Sequence, residues 1–204
     1  MYKTIVLITT ILFATIANAN ERPPVVAHEV RAGIEGEAIA STSIGEKGRV
    51  GIYQLEEVVR DKGEVQTMDD FAKVLGERLM NFTEQTNYEA CAVICQTDGQ
   101  WGARIVTVHA HAFCPIVYEE SVACPADMKA TDADIHSHIT VSSYRPNAID
   151  RLALRREYKR GQSAYTTPSQ LSPTDIEQSK NGYMVHTRGL LHHTGSERSV
   201  RRIE

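Results

Sequence analysis

"DADIHSHIT", residues 132–140, decides how this chain is read. Two histidines, His136 and His138, close an apolar-alternating run with acids nearby. In a strand, side chains two apart share a face, so the two imidazoles can meet one ligand. A catalytic zinc asks for three protein ligands of the N/O type and one open position. The histidines supply two. The third ligand is expected from the start of a helix beside the strand. Asp175 in "SPTD", residues 172–175, fits, with Ser172 at the N-cap, Pro173 at N1, Asp175 at N3 and Gly182 after the end.

Amide hydrolysis at such a centre also needs a carboxylate that is not a ligand, to take a proton from water and pass it to the leaving amine. Glu89, in "YEACAVICQ" at a helix-to-strand junction, suits that role. The Ser172 hydroxyl would stand beside the metal, where it can stabilise a developing oxyanion. Each piece has an ordinary reading when taken alone. A Ser-x-x-Asp is a capped helix, a lone Glu is a strand-edge carboxylate, and His-x-His recurs by chance. The chain has a second such pair, His109 and His111 in "VHAHAF", with no matching Ser-x-x-Asp or acid, so those two are read as structural histidines on a strand face.

The order Glu89, then His136-Ser137-His138, then Ser172-Pro173-Thr174-Asp175 resembles the signature of the JAMM (MPN+, JAB-like) zinc metallopeptidases, Glu … His-Ser/Thr-His … Ser-x-x-Asp. The resemblance spans about residues 65–193, and the order of elements around the motifs matches too. It implies one Zn²⁺ per chain held by His136, His138 and Asp175, Glu89 as general base, Ser172 supporting the oxyanion, and an MPN/JAB-like fold. The chain departs from the family in two places. Ile139 stands where Pro usually follows the second histidine, and residues 139–171 separate His138 from Ser172, where the family has a short connection. Loop-closure entropy rises slowly with length, so the insertion, assigned to residues 139–168, need not disturb the ligands. It is expected to emerge beside the metal, as a lid or specificity loop.

The rest of the chain frames this centre. Its 204 residues suffice for one domain with a core. Residues 1–19 hold Lys3, an apolar run and a closing "ANA", the pattern of a secretory signal peptide, and the run is short for a membrane span. Residues 20–64 read as an N-terminal extension with one short strand at "RVGIYQL". "TMDDFAKVLGERLMNFTEQ" is an amphipathic helix with Met68, Phe71, Val74, Leu75, Leu79 and Phe82 at helical spacing and Thr67 at its N-cap. "YEACAVICQ" and "ARIVTVHAHAFC" are two strands joined around an Asp-Gly turn, "YMVHTRGLLHH" is a last strand and turn, and residues 194–204 are a polar, loose tail. The class is α+β (α/β-like), a mixed sheet flanked by helices.

Export would place Cys91, Cys95, Cys114 and Cys124 where disulfides persist. Cys114 and Cys124 flank a short Pro-containing connection, which favours that pair. Pairing of Cys91 or Cys95 with either stays open. The formal charge of −4 does not suggest nucleic acid, and the basic stretch "RLALRREYKR", 151–160, reads as a solvated helix face. The expectation is therefore an exported zinc peptidase or isopeptidase, periplasmic or extracellular. Its substrate would be a peptide, an isopeptide or peptidoglycan, or it would act as an exported effector, with no membrane anchor after signal cleavage. The alternatives are a catalytically silent MPN-like binding module of the envelope and a disulfide-held accessory protein with structural histidines.

Overall fold

A computed structural model describes residues 37–44, 48–55, 58–61, 63–154, 159, 161–178, 180–195 and 199–204. The expected signal peptide and residues 155–158 and 160 of the basic stretch lie outside the described residues. A mixed sheet of ten strands, flanked by few helices, organises the chain. At its centre β4 (Ala90–Thr97) runs antiparallel to β7 (Lys129–Ser137), with Cys91 opposite His136 and Val93 opposite Asp134. The other side of β7 pairs in parallel with β10 (Asn181–His186), which turns at Thr187 and Arg188 into β11 (Gly189–Thr194).

The strand expected at residues 103–114 is shorter and broken. β5 (Gln100–Ala103) returns from β4 through Asp98 and Gly99, both at positive φ as a tight Asp-Gly hairpin turn requires, and β6 (Val106–Thr107) follows. His109 and His111 lie beyond β6, on no strand, and His109 itself has φ 61°. The described part of residues 20–64 is built into the sheet: β1 (Ala40–Ile44) and β2 (Gly48–Gln54) extend it beyond β6, and β3 (Val59–Arg60) pairs with β5. The tail is an edge strand, β12 (Ser199–Ile203), not loose chain. Arg201 fixes it, reaching Asp69 Oδ2 with Nη1 at 2.8 Å and donating from Nε to His192 Nδ1 at 3.0 Å.

Alternation along the strands gives the two faces different covers. Ala90, Ala92, Ile94, Ile135, Tyr183 and Val185 face α1 (Met68–Thr86), whose Phe71, Leu75 and Leu79 complete the main core. Thr67 caps this helix as expected, its side chain accepting from the Asp70 N–H at 3.2 Å. Val74 flanks the apolar stripe and is 37% exposed. A Cβ on Gly76 would stand 3.2 Å from Val185 Cγ2, so the missing side chain lets helix and sheet approach closely.

On the opposite face lie Cys91, Val93 and Cys95, covered by the segment that includes α2 (Glu120–Ala123). The favoured Cys114–Cys124 pair does not form. The bridges are Cys91–Cys114 and Cys95–Cys124, with Cα separations of 5.9 and 5.8 Å. The stretch between Cys114 and Cys124 ends in α2 and packs over β4, so two cysteines on one face of β4 each meet one from the covering segment. Two disulfides suit an oxidising compartment. No helix among the described residues is long and apolar enough to cross a membrane.

Ser137 ties the layers together. Its hydroxyl lies 2.6 Å from Thr83 Oγ1 of α1 and accepts from the Ala90 N–H at 2.9 Å, and Thr83 and Ser137 are both fully buried. Ser137→Ala strands two buried polar groups, so it should cost about 2–3 kcal/mol. Chemical denaturation checks this as a lower midpoint with an unchanged m-value, and a loss under about 0.5 kcal/mol would remove Ser137 as the tie.

Candidate metal centre

His136 and His138 stand at the carboxyl end of β7, where their shared side is the face turned away from α1. Backbone pairing continues past the strand, His138 N–H donating to Val185 C=O at 3.0 Å, and this keeps the second imidazole on that face. Asp175 comes from α4 (Pro173–Gln178). It is held by the expected reciprocal cap: Ser172 N–H donates to Asp175 Oδ2 at 2.6 Å, and Asp175 N–H donates to Ser172 Oγ at 3.2 Å. Gly182 does not end this helix. It lies inside β10, where it faces the site as a strand residue.

The three side chains converge. His136 Nε2 is 3.2 Å from His138 Nε2 and 3.6 Å from Asp175 Oδ1, while His138 Nε2 is 3.4 Å from Asp175 Oδ2. A tetrahedral ion with bonds of about 2.0–2.1 Å sets its ligand atoms about 3.3–3.4 Å apart, and the two imidazole nitrogens and the carboxylate approach one another at close to that spacing, each nitrogen nearest a different carboxylate oxygen. The donor set, two imidazoles and a carboxylate, is the chemistry of a divalent transition metal, and these residues can hold one. Among the described residues His138 Nδ1 is buried without a hydrogen-bond partner, and Nε2 is the atom turned to the group.

The electrostatics favour binding. Burial pushes the His136 pKa down to about 4 against the pull of Asp175, so the ring is neutral and offers its lone pair. Burial also disfavours charge on Asp175, but His138, His136 and the Ser172 N–H outweigh it and hold the carboxylate well below its usual range. His136 protonates near 6.5 when unfolded and near 4 in the fold. The metal-free protein therefore loses stability as pH falls through that window.

Glu89 sits just before β4, 7% exposed, its N–H donating to Ala110 C=O at 2.8 Å. Its carboxyl opens into the same cleft of about 450 Å³ as His136, His138, Ser172 and Asp175. Burial first, then the charges of Asp175 and Asp150, raise its pKa well above the ordinary value. It is thus a buried carboxyl near the ligands, not a strand-edge carboxylate in water. The insertion forms one wall of the cleft through Tyr144, Leu154, Tyr165 and Thr166.

The structure also gives places to residues the sequence reading passed over. Asp150, fully buried in α3 (Ala148–Ala153), accepts from His111 N–H at 2.8 Å and lies 2.6 Å from His111 Nδ1. The second His-x-His pair therefore does have an acid partner, and it anchors the insertion; Tyr144 stacks on the His111 ring at 4.8 Å between centroids. His193, 1% exposed on β11, faces the site from below and feels the Asp175 charge, whereas its neighbour His192 turns to the α1 side and stacks on Tyr183. Strand alternation alone would have put one of those two histidines on the site face. Asp134, two residues before His136, lines the cleft and accepts from Tyr118 Oη at 2.6 Å.

Comparisons with family models, with curated proteins and with solved structures find no match to this chain.

Without a cation, the buried Glu89 destabilises the fold, because the unfolded chain ionises it freely while the folded chain does not. Glu89→Gln should therefore raise the melting temperature of the metal-free protein, by about 2–4 °C for each kcal/mol relieved. The gain should be larger at pH 8 than at pH 5, since stability from a group with a raised pKa is lost as pH rises. Equal gains at both pH values would show that ionisation of Glu89 is not the cause.

Proposed function

We propose that the protein is an exported zinc-dependent peptidase or isopeptidase of the JAMM (MPN+) type, and that its mixed sheet is an MPN/JAB-like fold. One observation carries the reading: His136, His138 and Asp175 bring two imidazole nitrogens and a carboxylate to separations of 3.2, 3.4 and 3.6 Å beside a buried carboxyl, Glu89, in one cleft. Three such ligands would leave a four-coordinate zinc one position for water or substrate, as in catalytic zinc sites.

When bound, the zinc ion supplies Lewis acidity, polarising the scissile carbonyl and acidifying water toward neutrality. The residues do the rest. His136, His138 and Asp175 hold the centre on one rigid strand and one capped helix turn. Glu89 takes a proton from the attacking water at its carboxylate and returns it to the leaving amine; its raised pKa suits both halves of that exchange. A nearby dication would favour the ionised form needed to begin it. Ser172 Oγ accepts from the Asp175 N–H and lines the cleft, so its own O–H remains to donate to the developing oxyanion.

Two disulfides and an N-terminal signal-like segment support action outside the cytoplasm, in the periplasm or beyond the cell. The natural substrates there are peptide or isopeptide bonds, with the cross-links of peptidoglycan first among them; an exported effector acting on another cell would meet the same chemistry. A silent binding module would have no use for a buried carboxyl that costs stability, which favours the enzyme over that alternative.

The first test is metal content by mass spectrometry of the purified protein. About one zinc per chain is expected, lost in both His136→Ala and Asp175→Ala; a parent that neither carries zinc nor takes it up sinks the peptidase reading. With zinc present, release of new amino groups from cross-linked peptidoglycan is the activity assay. Glu89→Gln should keep the metal and lose about 10²–10⁴-fold in rate. Ser172→Ala keeps the backbone N–H bond that holds Asp175 Oδ2, so it should keep the metal and lose about 10²-fold.

A further inference from the structure

The cleft has a cysteine at its wall. Cys114 lines it together with His136, His138 and Asp175. Its disulfide partner Cys91 is the residue directly opposite His136 in the β4–β7 ladder. Opposed residues on neighbouring strands carry Cβ atoms only about 4.5–5.5 Å apart, on the same face. One sulfur of the pair is thus fixed beside a ligand strand, and the other sits on loop chain that borders the cleft. The second bridge, Cys95–Cys124, ties the covering segment independently, four residues further along the same face of β4, and its cysteines do not line the cleft.

From this juxtaposition we infer that the Cys91–Cys114 disulfide is a redox latch on the metal centre: oxidised it keeps the fourth position open, and reduced it frees Cys114 to close that position as a thiolate ligand. The inference rests on the metal-centre reading above. Zinc takes Cys sulfur readily beside His and Asp, and a centre with four protein ligands is closed, whereas one with three is open to substrate. The chemistry balances with a cellular dithiol as reductant. Its two electrons and two protons break the S–S bond and give two thiols, and the dithiol becomes a disulfide. The Cys114 thiol then loses its proton to solvent as it binds the metal and displaces water.

The consequence is an enzyme held off where thiols are reduced and opened where disulfides form. Synthesis in a reducing compartment would give a closed His136, His138, Asp175, Cys114 set. After export, exchange with a disulfide oxidant would withdraw the sulfur into the bridge and open the fourth position, the oxidant taking up the two electrons and leaving as a dithiol. On reduction the Cys91–Cys114 bond no longer ties Cys114 to β4, while the packing of Phe113, Ile116 and Val117 and the Asp150–His111 anchor hold its flanks.

Cobalt substitution tests this without an activity assay. The purified protein is loaded with Co²⁺ in its oxidised form and again after reduction with a phosphine, which adds no thiol of its own. The oxidised parent should show the visible bands of a nitrogen–oxygen site with no thiolate-to-cobalt charge-transfer band in the near ultraviolet. The reduced parent should gain that band, at an intensity for one thiolate per cobalt. Cys91→Ser should show it without reductant, Cys114→Ser should lack it under all conditions, and the Cys95→Ser/Cys124→Ser double variant should behave like the parent. A reduced parent that binds cobalt with no such band, or a Cys114→Ser protein that keeps it, overturns the latch and leaves the metal centre standing. Failure of the oxidised parent to bind cobalt or zinc overturns the centre itself, and the latch with it.

Discussion

The parallel pairing of β7 with β10 is the constraint on which the site depends. Parallel neighbours cannot be joined by a tight turn, so the chain must leave at His138 and travel back along the sheet before Asn181. α1 already occupies one face, and the returning chain takes the other, the one that bears His136 and His138. The last helix of that return is α4, which carries Asp175. The first turn of that helix brings the Asp175 carboxylate to 3.6 Å from His136 Nε2. The Ser172 cap matters for the same reason: it fixes where the helix begins and so where the carboxylate points.

Electrostatics then make the centre a place that calls for positive charge. Asp175 is held ionised, His136 is kept neutral by burial, and His138 presents a third donor atom to the same point. Glu89 adds a carboxyl whose ionisation burial opposes. In a metal-free molecule protons must occupy part of this set, and a cation would displace them, so metal binding and proton release are coupled. Stability given up here is recovered elsewhere: the α1 face carries the large apolar core, and Arg201, Asp69, Tyr183 and His192 close the edge with satisfied hydrogen bonds.

Much of this was legible in the residues, and the rest was not, for physical reasons. α1 and the turn at Asp98-Gly99 were readable because local chemistry dictates them: a capped 3.6-residue stripe and a turn that needs positive φ. His136, His138 and Asp175 were readable as a set because two of them share a strand face and the third caps a helix. The disulfide pairing was not, since it depends on which segment covers β4, a long-range fact. The Asp150 partner of His111 was hidden for the same reason, as no local rule joins residues so far apart in the chain. β12 was missed because a polar, basic segment becomes a strand only when Asp69 and β11 are there to receive it.

The layer over the site has a different physical character from the layer beneath it. β7 and β10 are clamped by α1 through a continuous apolar core, whereas the cover draws on small clusters around Val93 and Ile149 and is fastened at discrete points. Those points are two disulfides, one buried carboxylate at Asp150 and the capping box of α3. A cover built this way can change its wall without loosening the ligands, which stand on the rigid side. It also means that the state of a single fastening is felt at the cleft and not in the core. Cys91–Cys114 is the fastening nearest the ligands, with one end opposite His136 and the other at the cleft wall, so the chemistry of that bond is the part of the cover to which the metal position is most directly exposed.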